Sequence, residues 1–146
     1  MKFEIVDEFV SYSADETFEF GCTFGRKLKT PALICLFGEL AAGKTTFLKG
    51  LAFASAGIPT VDVQSPTFTY LNIYEGWQKF YHFDLYRLKN IDEFISMGFD
   101  EYFYTQSICC IEWSERIEEY LPTNSIFIRI AHRKENQRTI TTIKCC

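Results

Sequence analysis

The sequence predicts an α/β fold on a sheet of mixed direction, and three observations carry that expectation. Two apolar runs of strand length, Ala32–Phe37 and Ser107–Ile111, lack polar alternation, the pattern of strands buried on both faces. Between them Phe47, Leu48, Leu51, Ala52 and Ala56 recur at three and four residues, the period of a helix. Two further pairs of segments, Thr69–Tyr74 with Lys79–Asp84 and Ser125–Ala131 with Arg138–Cys145, surround polar turns and read as hairpins.

The elements follow in order. Lys2–Val6 reads as a short strand. Ser13 followed by Glu16 spells a capping box, so a helix should run from about Asp15 to Leu28. Its apolar positions Phe18, Cys22 and Leu28 make a thin stripe, which predicts packing at the edge of the core. Pro31 prevents continuation, and Ala32–Phe37 then forms the first buried strand. Gly57 and Pro59 end the helix that begins after Gly43. The first hairpin turns at Glu75–Gln78, and Ile91–Met97 and Asp100–Tyr104 read as two helical turns interrupted by Gly98. The second buried strand is Ser107–Ile111, and the final hairpin closes through a loop at His132–Gln137. No repeat, linker or composition break divides the chain, so residues 1–146 are expected to form one domain.

Composition narrows the function classes. A chain that is 47% hydrophobic, with 15 Phe, 8 Tyr and 2 Trp, has enough apolar surface to order itself, which excludes a disordered segment. Fifteen Lys and Arg against nineteen Asp and Glu leave a net charge of −4, which argues against unaided binding of nucleic acid. The N-terminal stretch carries Glu4, Asp7 and Glu8 instead of a basic and then apolar leader, and no run has the length of a membrane span. A cytoplasmic location without membrane attachment is expected. Cys22, Cys35, Cys109, Cys110, Cys145 and Cys146 lack the spacing of zinc ligands and read as reduced thiols, three of them inside apolar runs as small hydrophobes.

Gly38-Glu39-Leu40-Ala41-Ala42-Gly43-Lys44-Thr45 matches G-x4-G-K-[ST], the phosphate-binding loop, with Thr46 following. The match comes after a buried strand and opens a helix, the context its mechanism requires. Loop N–H groups and the helix N-terminus direct positive charge at phosphates, the Lys44 ammonium reaches the β and γ oxygens, and the Thr45 hydroxyl serves Mg²⁺. The expected architecture is therefore a P-loop NTPase-like three-layer fold with a mixed parallel/antiparallel sheet, binding ATP or ADP with Mg²⁺.

Two carboxylates compete for the metal side. Glu112 follows the run Ile108–Ile111 and Asp84 follows Lys79–Phe83, so each emerges at the carboxyl end of a strand, where α/β sheets bind ligands. One would ligate metal while the other orients or deprotonates water. Ser65-Pro66-Thr67-Phe68-Thr69 is an extended segment, because Pro66 biases Ser65 away from helix, and it presents Thr67 toward a γ-phosphate. His82 and His132 show no ligand spacing, and Trp113 reads equally as a core residue or a site contact.

The phosphate loop, the Ser65–Thr69 segment, Tyr81-His82-Phe83-Asp84-Leu85-Tyr86-Arg87-Leu88 and Ile111-Glu112-Trp113, in that order, resemble the TsaE (YjeE) family of small bacterial ATPases over nearly the whole chain. The resemblance implies an ATP-binding and hydrolysing accessory protein for N6-threonylcarbamoyladenosine (t6A) formation at position 37 of tRNA. It implies TsaD and TsaB as partners, with tRNA engaged only through that complex. Carried over by position, Lys44 and Thr45 hold phosphates and Mg²⁺, Glu112 is the second magnesium ligand, Asp84 serves hydrolysis, and Thr67 sits in a switch-like segment. The adenine pocket falls near Ala14–Thr17 and Asn136–Arg138. The family loop usually reads Gly-Asp-Leu-Gly-Ala-Gly-Lys-Thr, whereas this chain has Glu39 and Ala41; alanine in a left-handed conformation costs roughly 1–2 kcal/mol.

Three other readings compete with this one. A small-molecule P-loop kinase would use Asp84 as base but calls for an arginine-bearing lid, and Arg87 is the lone arginine between the loop and Glu112. A GTP switch calls for an Asn-Lys-x-Asp element, which the chain lacks. A nucleotide-binding subunit without hydrolysis differs only in releasing no phosphate.

Overall fold

The computed structural model describes residues 2–38, 43–66 and 69–145. Strand β2 (Ala32–Gly38) is central: Ile34, Cys35 and Leu36 have no exposed surface, because each face of this apolar run is covered. It pairs in parallel with β5 (Ile108–Glu112) on one side and β6 (Ile126–Lys134) on the other. Strand β4 (Lys79–Asp84) adds in parallel to β5 and makes an antiparallel hairpin with β3 (Leu71–Glu75). At the other edge β7 (Gln137–Cys145) runs antiparallel to β6, and β1 (Phe3–Ser11) antiparallel to β7. The seven-stranded order is β1-β7-β6-β2-β5-β4-β3, the mixed sheet the sequence predicts.

Period-2 alternation sends side chains from the same strands into two cores. Ile34, Leu36, Phe80, Ile108 and Cys110 meet Phe47, Leu48 and Leu51 of helix α2 (Lys44–Ala56) on one face. Leu33, Cys35, Phe83, Cys109 and Ile111 meet Phe94 of the short helix α3 (Ile91–Ser96), with Phe99 and Phe103 of a 3₁₀ segment, on the other. Sheet, α2 side and α3 side make the three layers.

Helix α1 (Ala14–Lys27) carries the predicted cap: Ser13 Oγ accepts from the Glu16 N–H at 3.1 Å, and Glu16 Oε2 reaches back to the Tyr12 N–H at 2.9 Å. Its Phe20, Phe24 and Leu28 are partly buried against the α2-side core, which matches the expected place at the core's edge. Thr17, Gly21, Cys22 and Gly25 form its buried side, laid directly on α2. A β-carbon at Gly21 would fall on the Phe47 carbonyl oxygen, and one at Gly50 on that of Phe18. A stripe of small residues looks weak on an apolar scale yet allows the closest helix approach.

Three boundaries also differ. Strand β1 continues to Ser11 because Asp7–Ser11 find partners in Thr142–Arg138, a tertiary pairing that local pattern does not contain. The expected loop His132–Gln137 shrinks, since β6 and β7 pair out to Lys134 and Gln137 and Asn136 takes the left-handed turn position, φ 60°. After β5 a 3₁₀ segment that the sequence pattern does not announce, Ser114–Tyr120, buries Ile117. Cys22, Cys35, Cys109 and Cys110 are buried thiols, as their apolar settings imply, and burial pushes the Cys35 thiol up to about 12. Among the described residues no helix is long and apolar enough to cross a membrane.

Candidate functional site

Parallel pairing of β2, β5 and β4 brings their carboxyl ends to one edge of the sheet. Register aligns Leu36 with Glu112 and Glu112 with Asp84, so the two carboxylates stand side by side just below Gly38. Phe80 faces α2 while Tyr81 and Phe83 face α3, which puts His82 and Asp84 on the α2 side by alternation. Helix α2 starts at the same edge.

The N-terminus of α2 differs from those of its neighbours. Helices α1 and α3 are capped by Ser13 and Asn90 and have acidic first turns. Helix α2 is preceded by Gly43, whose φ of 102° suits glycine; it has no side-chain cap and no acidic residue in its first turn. Its first amide donors and dipole are thus left for an anion. Lys44 is 6% exposed, and its ammonium donates to the Gly38 carbonyl at 3.0 Å while lying 4.2 Å from the centre of the Trp113 ring. Trp113 follows Glu112 with φ 60° and packs on Tyr86 at 5.0 Å between ring centres.

Glu112 is 4% exposed; its Oε2 is 2.7 Å from His82 Nε2 and accepts from the Ser65 hydroxyl at 3.4 Å. Asp84 is partly buried, and its Oδ1 accepts from the Tyr86 N–H at 3.0 Å. Burial raises the Asp84 pKa, the Tyr86 N–H opposes that, and the neighbouring Glu112 charge raises it further. Gly43, Lys44, Thr45, Thr46, Ser65, Asp84, Glu112 and Trp113 surround a cavity of about 320 Å³. Hydroxyl and carboxylate oxygens make this a donor set for a hard cation that takes its remaining ligands from phosphate and water. Among the described residues no group of three or more His, Cys, Asp or Glu is arranged to hold a metal by itself.

A second cavity, about 390 Å³, adjoins the first through Gly43 and Thr46. Tyr12, Ser13, Ala14 and Thr17 from the start of α1 and Asn136 and Arg138 from the β6–β7 turn complete it. The two stretches expected around adenine, remote in sequence, thus face one space. Of the predicted site residues, Gly38, Gly43, Lys44, Thr45, Thr46, Asp84 and Glu112 converge here; Glu39, Leu40, Ala41, Ala42 and Thr67 lie outside the described residues.

Residues 11–140 match the family model of Threonylcarbamoyl adenosine biosynthesis protein TsaE. The chain belongs to the TsaE family. It is 41% identical over 132 residues to the tRNA threonylcarbamoyladenosine biosynthesis protein TsaE of Treponema pallidum, covering 90% of this chain and 96% of that one. The Aquifex aeolicus TsaE is 36% identical over 94% of this chain and 96% of its own length. The crystal structure of Bacillus subtilis YdiB superposes with a TM-score of 0.78 at 29% identity, covering all of this chain and 89% of YdiB. The P-loop NTPase-like α/β fold is thereby shared with that neighbour.

One residue at the site of this TsaE-family chain, His82, has a role that the sequence pattern does not announce, and another, Trp113, takes the site-contact alternative of its two readings. His82, set aside for want of ligand spacing, holds Glu112, and the signal was its place two residues before Asp84, on the same strand face. Trp113 lies against Lys44 because its left-handed backbone turns the chain at the end of β5, a conformation no local pattern announced.

Proposed function

We propose that the chain is a Mg²⁺-dependent P-loop ATPase that supports t6A formation on tRNA in the cytoplasm, working with TsaD- and TsaB-like proteins. The observation that carries this reading is the cavity in which the uncapped start of α2, Lys44, Thr45, Asp84 and Glu112 meet.

ATP or ADP lies across the two cavities, phosphates against the α2 amides and adenine beside Ala14, Thr17 and Asn136. Lys44 exchanges the Gly38 carbonyl for a phosphate oxygen, the stronger partner for an ammonium. Thr45 and Glu112 would hold Mg²⁺, which would neutralise phosphate charge when bound. Asp84 orients the attacking water and takes its proton; burial makes its carboxylate a better base than one in water. Thr67 belongs to the switch-like segment beside the γ-phosphate. The rest of the rate comes from the partners, since among the described residues no lid closes over the cavity and a cation or water shield supplied in trans contributes thousands-fold. Family membership supports the pathway, and the net charge of −4 fits a protein that leaves RNA contact to others.

Phosphate release tests the reading. The chain alone should turn over slowly, and adding TsaD- and TsaB-like proteins should raise the rate at least tenfold, but not with Glu112→Ala. No phosphate release in either setting would reduce the chain to a nucleotide-binding subunit.

A further inference from the structure

We propose that His82 is a positioning residue for Glu112, fixing which carboxylate oxygen is offered to the cation; the inference rests on the ATPase reading above. His82 has no exposed surface, and its Nε2 is 2.7 Å from Glu112 Oε2. The contact is diagonal: His82 pairs with Cys110 on β5, and Glu112 is two residues further, opposite Asp84. An ionised carboxylate only accepts, so the bond requires the proton on Nε2. Among the described residues the hydrogen bonds to the Glu112 side chain, from His82 and from Ser65, fall on Oε2, which turns Oε1 toward the cavity that Glu112 lines.

The arrangement has a cost that packing alone does not explain. His82 Nδ1 is the one buried side-chain nitrogen or oxygen among the described residues without a partner. An apolar residue between the Phe80 and Asp84 positions would avoid that penalty of burying an unpaired polar atom. What the imidazole adds is a rigid donor, reaching from a neighbouring strand, that removes the rotational freedom of a carboxylate next to a charged ligand. Groups behind a ligating side chain act in this way, and losing them typically weakens metal affinity 10–100-fold.

The test is a calorimetric titration of ATPγS over a range of Mg²⁺ concentrations. In His82→Leu the Mg²⁺ midpoint should rise about tenfold or more, with Mg²⁺-free affinity within about twofold of the parent. His82→Gln, whose amide nitrogen reaches the Nε2 position, should bring the midpoint back to within about threefold. In a Glu112→Ala background His82→Leu should add nothing. An unchanged midpoint in folded His82→Leu, a His82→Gln protein as impaired as the leucine variant, or a further loss on Glu112→Ala overturns the proposal. If His82→Leu does not fold, ¹⁵N spectra of the unaltered chain decide: the ring proton should sit on Nε2 and its resonance should move with Mg²⁺ and ATPγS together more than with ATPγS alone, whereas a proton on Nδ1 overturns the assignment. A parent chain that binds no ATPγS overturns the ATPase reading instead, and the Nε2 proton remains the readout for His82.

Discussion

The two cavities that meet at Gly43 and Thr46 are built from different kinds of element. The one holding Lys44, Asp84 and Glu112 is framed by strand ends whose register places each carboxylate against its neighbour. The one holding Ala14, Thr17, Asn136 and Arg138 is framed by a helix cap and a hairpin turn. Strand ends give fixed positions to side chains, which suits the proposed phosphoryl chemistry, where small displacements are costly to rate. Caps and turns give adaptable hydrogen bonding, enough for holding a base that does not react. Changes at the first cavity should therefore alter chemistry, and changes at the second should alter which ligand binds.

Glu112→Ala gives the largest expected effect: assembly-stimulated phosphate release should fall about 100-fold or more, while ADP affinity stays within about threefold by calorimetry, because the carboxylate contributes mainly in the transition state. Loss of ADP affinity in step with turnover would place it in ground-state binding. Lys44→Ala should weaken ATP and ADP alike by roughly 10–100-fold, the scale of one hydrogen bond to a charged group. Unchanged affinity in the folded variant would remove the phosphate-loop assignment. Ala14→Trp, a substitution at an exposed position, should fill the second cavity and cost about tenfold in ATP affinity while sparing inorganic triphosphate, a discrimination about the size of one misplaced group in a pocket. Equal losses for both ligands would merge the two cavities into one functional unit.

The smallest effect is on stability. The Asp84 pKa is raised above its ordinary 3.8, so between that value and the raised one the folded chain keeps a proton that the unfolded chain has given up. Stability falls as pH rises through that window, and above it the fold carries the cost of an ionised, partly buried carboxylate. Asp84→Asn should thus raise the thermal midpoint slightly at neutral pH, with the gain vanishing at pH values below the ordinary one. A variant less stable than the parent at neutral pH would show that the charge is better compensated than burial implies.

Most of the α/β scheme was legible because its signals are local. The run Ala32–Phe37, the helix period from Phe47 to Ala56 and the loop motif between them each name an element without reference to the rest of the chain. Asp84 and Glu112 were legible as strand-end acids, but the bond from His82 depends on which strands are neighbours and in what register. The same holds for α1, whose glycines count as nothing on an apolar scale until α2 is laid against them. Strand β1 gains its last five residues from β7, at the far end of the chain. What sequence withheld was consistently information carried by a partner segment.

In the proposed function, hydrolysis at the strand-end cavity sustains repeated cycles of t6A formation. The direct measurement is t6A produced over many turnovers by a reconstituted assembly of TsaD- and TsaB-like proteins with this chain or with Glu112→Ala, both at saturating ATP. The parent should sustain a linear rate, while the variant should stall after about one product per assembly. Equal sustained rates from two proteins that bind ATP equally well would contradict the claim.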